Sequence, residues 1–147
     1  MKPEMQPAAL QPLGFWAVRA GEAIRARTRG RLSELDVTQP EWWVLHQLSM
    51  HPAGMTDSEI VSIVGPNESD ESIVQAIATG VDKGWFDRSG ERLRLTDAGL
   101  GRFHAAAEVQ RQLNDERRQG ISDHDYATTI DVLQRTITNV GGNAWHW

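Results

Sequence analysis

The sequence predicts a mainly α-helical protein with one small β-hairpin. Three observations carry this. Apolar residues recur at three- and four-residue steps through most of the chain. Two of these runs open on a Thr followed three positions later by Glu, which is the local signature of a helix start. One stretch, Trp85 to Thr96, has short strand-like pieces on either side of Ser89-Gly90-Glu91.

Composition bounds what such a fold could do. The 147 residues suffice for a single compact domain. No apolar run approaches about 18 residues, so no membrane span is expected. The N-terminus, MKPEMQPAALQPLGFW, lacks the basic-then-apolar order of a secretory signal. The absence of cysteine excludes disulfides, thiolate zinc sites and thiol redox sensing, and suits a cytoplasmic protein. The net charge is −5, so contact with nucleic acid would have to come from local basic patches.

Residues 1–12 hold Pro3, Pro7 and Pro12 and read as a loose arm. A first helix begins near Pro12, which suits a first turn. Leu13, Trp16, Ala17, Ala20 and Ile24 form its apolar stripe, and Gly30 should lie near its end. Residues 19–31 carry five Arg against one Glu, a net +4. Thr38-Gln-Pro-Glu41 is a capping box that opens the second helix, with Trp42, Leu45 and Leu48 on one face and Trp43 and His46 on the next. His51 to Gly54 ends it.

Thr56-Asp-Ser-Glu59 opens a short third helix with Ile60, Ile63 and Val64 inside. Gly65-Pro66-Asn67 breaks the chain. Ser69 caps a fourth helix, from Asp70 to about Lys83, whose inner residues are Ile73, Ala76, Ile77 and Val81. Gly80 costs that helix about 1 kcal/mol relative to Ala, and a close helix contact would explain it. Gly84 suits the residue after a helix end. The hairpin follows, and Thr96 caps a long helix from 97 to about 119. Ser122 caps the last helix, where Tyr126, Ile130, Leu133, Ile137 and Val140 form a heptad-like seam. That seam should meet another chain or the first helix. The end, Gly-Gly-Asn-Ala-Trp-His-Trp, combines flexible glycines with adhesive tryptophans.

Helix, turn, helix and wing, in that order from Thr56 to Thr96, is an arrangement that docks on nucleic acid. From Leu35 to Leu100 the chain also resembles the MarR family of winged helix-turn-helix regulators. Leu35 and Thr38 precede Trp42, Val44, Leu45 and Leu48; Glu59 and Ile60 follow, then Val81-Asp-Lys-Gly84-Trp-Phe, Arg88, Glu91-Arg92 and Leu95-Thr96-Asp-Ala-Gly99. The last piece is the most specific. The resemblance implies one MarR-like domain over 1–147, with dimerisation helices at 12–34 and 101–141 and a winged helix-turn-helix module at 35–100. It further implies a homodimer on a pseudo-palindromic double-stranded DNA operator.

In that picture the recognition helix is 69–83. Ser69, Glu71, Ser72, Gln75 and Thr79 would face the major groove, with Gln75 suited to an adenine edge and Ser72 to a base or phosphate. Arg88, Arg92 and Arg94 belong to the wing, where an Arg could enter the minor groove. Two departures stand out. The wing is short, and segment 67–84 carries Glu68, Asp70, Glu71 and Asp82 against Lys83, a net −3. Asp70 and Glu71 lie in the first helical turn, where negative charge favours the helix dipole. They would nevertheless face DNA.

Other constellations have a plain reading beside a functional one. Arg25, Arg27, Arg29 and Arg31 could touch phosphates or acids of a partner subunit, or form a solvated face. Trp16, Trp42, Trp43, His46 and His104 could line a pocket for a small aromatic effector, as the resemblance suggests, or serve as ordinary packing. Asp123-His124-Asp125 and His104…Glu108 lack the ligand count and spacing of a metal site, and no cofactor is expected. No phosphate loop, dinucleotide fingerprint, nucleophile elbow or HExxH motif is present, so an enzyme is not expected. The leading expectation is a dimeric, ligand-responsive repressor. The alternative is a winged-helix protein-interaction module with weak or no DNA binding.

Overall fold

The structure is a computed structural model and describes residues 4–145. Pro3 of the expected arm, and His146 and Trp147 of the expected adhesive end, lie outside the described residues.

Helix α1 spans Leu13–Ser33, α2 Gln39–Met50, α3 Asp57–Val64, α4 Asp70–Asp82, α5 Asp97–Arg118 and α6 Asp123–Asn139. Strands β1 (Met55–Thr56), β2 (Phe86–Ser89) and β3 (Arg92–Leu95) form an antiparallel sheet in the order β1-β3-β2. The expected boundaries hold to within a few residues. Gly30 lies near the end of α1 as expected, three residues before Ser33.

Local chemistry sets most helix starts. Thr38 accepts the Glu41 N–H at 3.2 Å while the Thr38 N–H donates to the Glu41 carboxylate at 3.1 Å. Thr56 and Glu59 repeat that exchange at the start of α3. Ser69, Thr96 and Ser122 each accept one backbone N–H three residues on. Each such cap satisfies a donor the helix cannot satisfy itself.

Strand β1 has no signal in the sequence. It pairs Met55 with Leu93 and Thr56 with Arg92. Two residues are too few to show a period of two, so only the tertiary fold reveals them.

The core is built by α2, α3, α4, α5 and the sheet. Val44, Leu45, Ile60, Val64, Ile73, Leu93 and Ala106 are fully enclosed. Helix α1 contributes only Thr28 and Leu32. Gly80 is explained by the sheet and not by another helix: a Cβ there would lie 2.0 Å from the Phe86 ring. The Leu-Thr closure has an equally direct cause. Thr96 donates its hydroxyl to the Gly84 carbonyl and its N–H to the Trp85 carbonyl. At Gly99 a Cβ would stand 2.0 Å from that same Trp85 oxygen, so only glycine lets α5 begin there.

Helix α6 buries no residue. Its seam residues Tyr126, Ile130, Ile137 and Val140 are exposed, as are Leu13, Phe15, Trp16, Val18 and Ile24 of α1. Both amphipathic stripes exist as expected, but the chain alone leaves them largely uncovered.

Candidate nucleic-acid interface

Helix α4 is held at the surface by one buried face. Ile73, Ala76, Ile77 and Gly80 point inward. Residues opposite them on a 3.6-residue helix must then face outward. Asp70, Glu71, Val74, Gln75, Ala78 and Asp82 are the exposed ones. The approach to α4 is tight. A single 3-10 turn, Gly65–Asn67, joins α3 to the Ser69 cap. A Cβ on Gly65 would meet the Asp70 carboxylate at 2.3 Å.

The five residues expected to face the groove divide into three groups. Glu71 and Gln75 lie on the exposed face. Ser69 caps the helix, its oxygen accepting from the Ser72 N–H at 3.1 Å. Ser72 and Thr79 are half-buried on the flank and, together with the exposed Gln75, line a cleft of about 520 Å³ between α4 and the α1–α2 junction. Their hydroxyls donate to the Ser69 and Gln75 carbonyls, each at 2.9 Å. Arg29, Val37, Gln39, Pro40 and Lys83 line the other parts of that cleft.

Charge on α4 is more negative than its composition suggests. Lys83, the segment's one cation, turns inward. Its ammonium lies 2.9 Å from the buried Glu41 carboxylate, 2.8 Å from the Asp36 carbonyl and 4.5 Å above the Trp85 ring. Asp70, Glu71 and Asp82 stay exposed, while Glu68 is paired with Arg29 at 2.9 Å.

The wing arginines are engaged too. Arg88 forms a two-pronged pair with Asp57 at 2.8 and 2.9 Å, and this hydrogen bonding raises the guanidinium's pKa above its ordinary value. Arg92 donates to the Gly54 carbonyl at 2.9 Å and Arg94 to the Ala53 carbonyl at 3.2 Å. Arg92 and Arg94 therefore brace the wing against the loop before β1 and Arg88 braces it against the first residue of α3, on side chains that remain at the surface.

On α1, Arg27 grips Glu116 of α5 through two 3.1 Å hydrogen bonds. The pairing lowers the Glu116 carboxyl's pKa. Arg29 reaches Glu68 and Gln39, and Arg31 reaches Gln112. These three stay at the surface, Arg27 and Arg29 on a solvated face, while their guanidinium groups are tied to neighbours of α1 within the chain.

The aromatic residues also separate. Trp42 stacks on Phe103 at 5.7 Å and 3° and on His46 at 5.4 Å, while His104 tilts against Phe103 at 5.4 Å. Burial lowers the His46 pKa, so the ring is neutral near pH 7. Trp43 packs on the core from outside. Trp16 stands at the start of α1, its indole N–H donating to Gln11 at 2.7 Å and its ring edge-on to Phe15. The stack around Phe103 is thus three of the five residues filling one another's space.

Residues of the exposed α4 face that the sequence does not single out include Val74 and Ala78. Val74 and Ala78 were findable, since they fall one turn apart and about 100° around the helix from Ile73 and Ile77, off the buried stripe. Among the described residues, no helix is long and apolar enough to cross a membrane.

No protein-family model matches the chain. Solved structures do. A MarR family transcriptional regulator from Silicibacter pomeroyi superposes with a TM-score of 0.75 at 18% identity, covering 87% of this chain and 92% of that one. A Mycobacterium tuberculosis MarR family protein in complex with DNA gives 0.68 at 22% identity, covering 90% and 99%. Its complex with salicylic acid gives 0.63 at 22%, covering 88% and 98%. These superpositions cover about nine-tenths of this chain, and the protein therefore has the winged helix-turn-helix fold of the MarR family transcriptional regulators.

Proposed function

We propose that the protein is a dimeric, DNA-binding transcriptional regulator, a cytoplasmic repressor without enzymatic activity, released by a small aromatic or amphipathic effector. The observation that carries this reading is the exposed face of α4, presented beside a wing on a rigid, capped helix-turn-helix. A structure similar in fold is a complex with DNA. Dimerisation through the flanking helices is supported by the uncovered apolar residues of α1 and α6. Two such modules would read successive major grooves about 34 Å apart.

Effector control is supported by the cleft beside α4. One wall is the recognition helix and the other is the end of α1 with the start of α2. A molecule lodged there touches both the reading and the dimerising parts, and so can favour one spacing of the two recognition helices over another. The cleft replaces the aromatic stack as the preferred effector site, since the stack has filled itself. A similar structure is a complex with salicylic acid.

The test is a gel shift at low salt with DNA flanking the protein's own gene, repeated with salicylate. Binding that weakens with salt is expected, and its absence at low salt overturns the reading. A second reading, an interaction module that meets a protein partner through an acidic α4, is favoured by the internal pairing of Lys83 and the wing arginines. Glu71→Gln separates the two. It strengthens DNA binding if α4 enters the groove and leaves it unchanged if α4 does not.

A further inference from the structure

The outer face of α4 holds an apolar side chain with no structural purpose in the chain. Val74 is 56% exposed. Between Met50 and Leu100 it is the one exposed large hydrophobic among the described residues. The others in the middle of the chain are covered, and most of the remainder lie on the uncovered stripes of α1 and α6. Ala78 follows one turn later on the same face and is too small to hinder close approach. Glu71 precedes Val74 by one turn, and Gln75 adjoins it.

This set has a specific chemistry. Guanine in the major groove is read by Arg or Lys through its two acceptors. The exposed face of α4 has neither, because Lys83 is turned onto Glu41. Glutamate accepts from the cytosine amino group, and glutamine pairs with adenine. An aliphatic side chain complements one groove feature alone, the C5-methyl of thymine.

We infer that Val74 is a specificity-determining residue that packs against a thymine methyl in each half-site. The inference rests on α4 being the groove-reading helix. It deepens that reading by naming a base, and it answers how an acidic helix can still select DNA. The selecting contact is apolar and indifferent to the charge of its neighbours. Attraction to the phosphates must come from elsewhere on the dimer.

The experiment uses the full chain. Bound duplexes are selected from a random double-stranded pool at low salt, and each thymine of the recovered site is replaced in turn by deoxyuridine. This exchange removes the methyl and leaves the base pair intact. The expected result is one position per half-site where the exchange weakens binding about fourfold, the worth of one buried methyl, and about fifteenfold when both half-sites are changed. Val74→Ala should melt like the wild type, because the side chain is exposed, and should bind thymine and uracil duplexes almost equally at that position. A scan with no methyl-sensitive position, or a Val74→Ala variant that keeps the preference, overturns the inference and leaves DNA binding standing. Recovery of no duplex overturns both.

Discussion

The winged unit and the flanking helices are both amphipathic, yet only one of them is finished within the chain. Helices α2 to α4, the sheet and the inner side of α5 bury a continuous core. Helix α6 buries nothing, and α1 buries two residues of twenty-one. An amphipathic stripe is a request for a partner, and the winged unit answers its own. The stripes of α1 and α6 are left for a second copy under the proposed function. Stability of the first region should therefore follow single-chain packing, and that of the second should follow protein concentration.

The largest expected effect would break the second half of that contrast. Ile130→Asp puts a charge on the α6 seam in both subunits, and the lost burial amounts to about 3–6 kcal/mol over two copies. Sedimentation should show a monomer with the winged unit still folded by near-ultraviolet circular dichroism. A variant that remains dimeric would show that α6 is not the interface. Next is Ile73→Ala in the core, fully enclosed. Denaturant unfolding should lose about 2–5 kcal/mol, by the same amount at every protein concentration.

Glu41→Ala comes third. It removes the buried partner of Lys83 and half of the Thr38 capping box, at a cost of about 1–3 kcal/mol. The smallest effect is a dependence on pH. Burial among Trp42 and Phe103 lowers the folded His46 pKa, so the unfolded chain binds the proton more readily. Stability is then fully present above the unfolded value, about 6.5, and falls as pH drops below it toward the folded value. Wild type should lose melting temperature between pH 7 and pH 5.5, and His46→Gln should lose less.

Much of the fold was legible because its signals are local. Thr38 with Glu41, Thr56 with Glu59, and the hairpin around Gly90 are separated by a few residues, and their geometry needs no distant partner. The candidate site was legible in outline only. Glu71 and Gln75 emerged on the exposed face, but Ser72 and Thr79 are half-buried and share the cleft wall with Gln75. A helical repeat shows which residues share a side, and the neighbours decide which side faces out. Composition likewise counted Lys83, Arg29 and the wing arginines as available charge. Each found an acceptor far away in sequence: Glu41 for Lys83, Glu68 for Arg29, Asp57 for Arg88.

The sequence by itself determined where helices begin and end, which faces are apolar, and that a helix-turn-helix precedes a wing. Those features depend on backbone donors, side-chain periodicity and glycine's conformational freedom, all of which act within a few residues. Only the tertiary structure decided the two-residue strand β1, the approach of Phe86 to Gly80 and of Trp85 to Gly99, and the charge that α4 presents outward. Those depend on contacts between residues distant in the chain, and a charge becomes available or spent only when its neighbour in space is known.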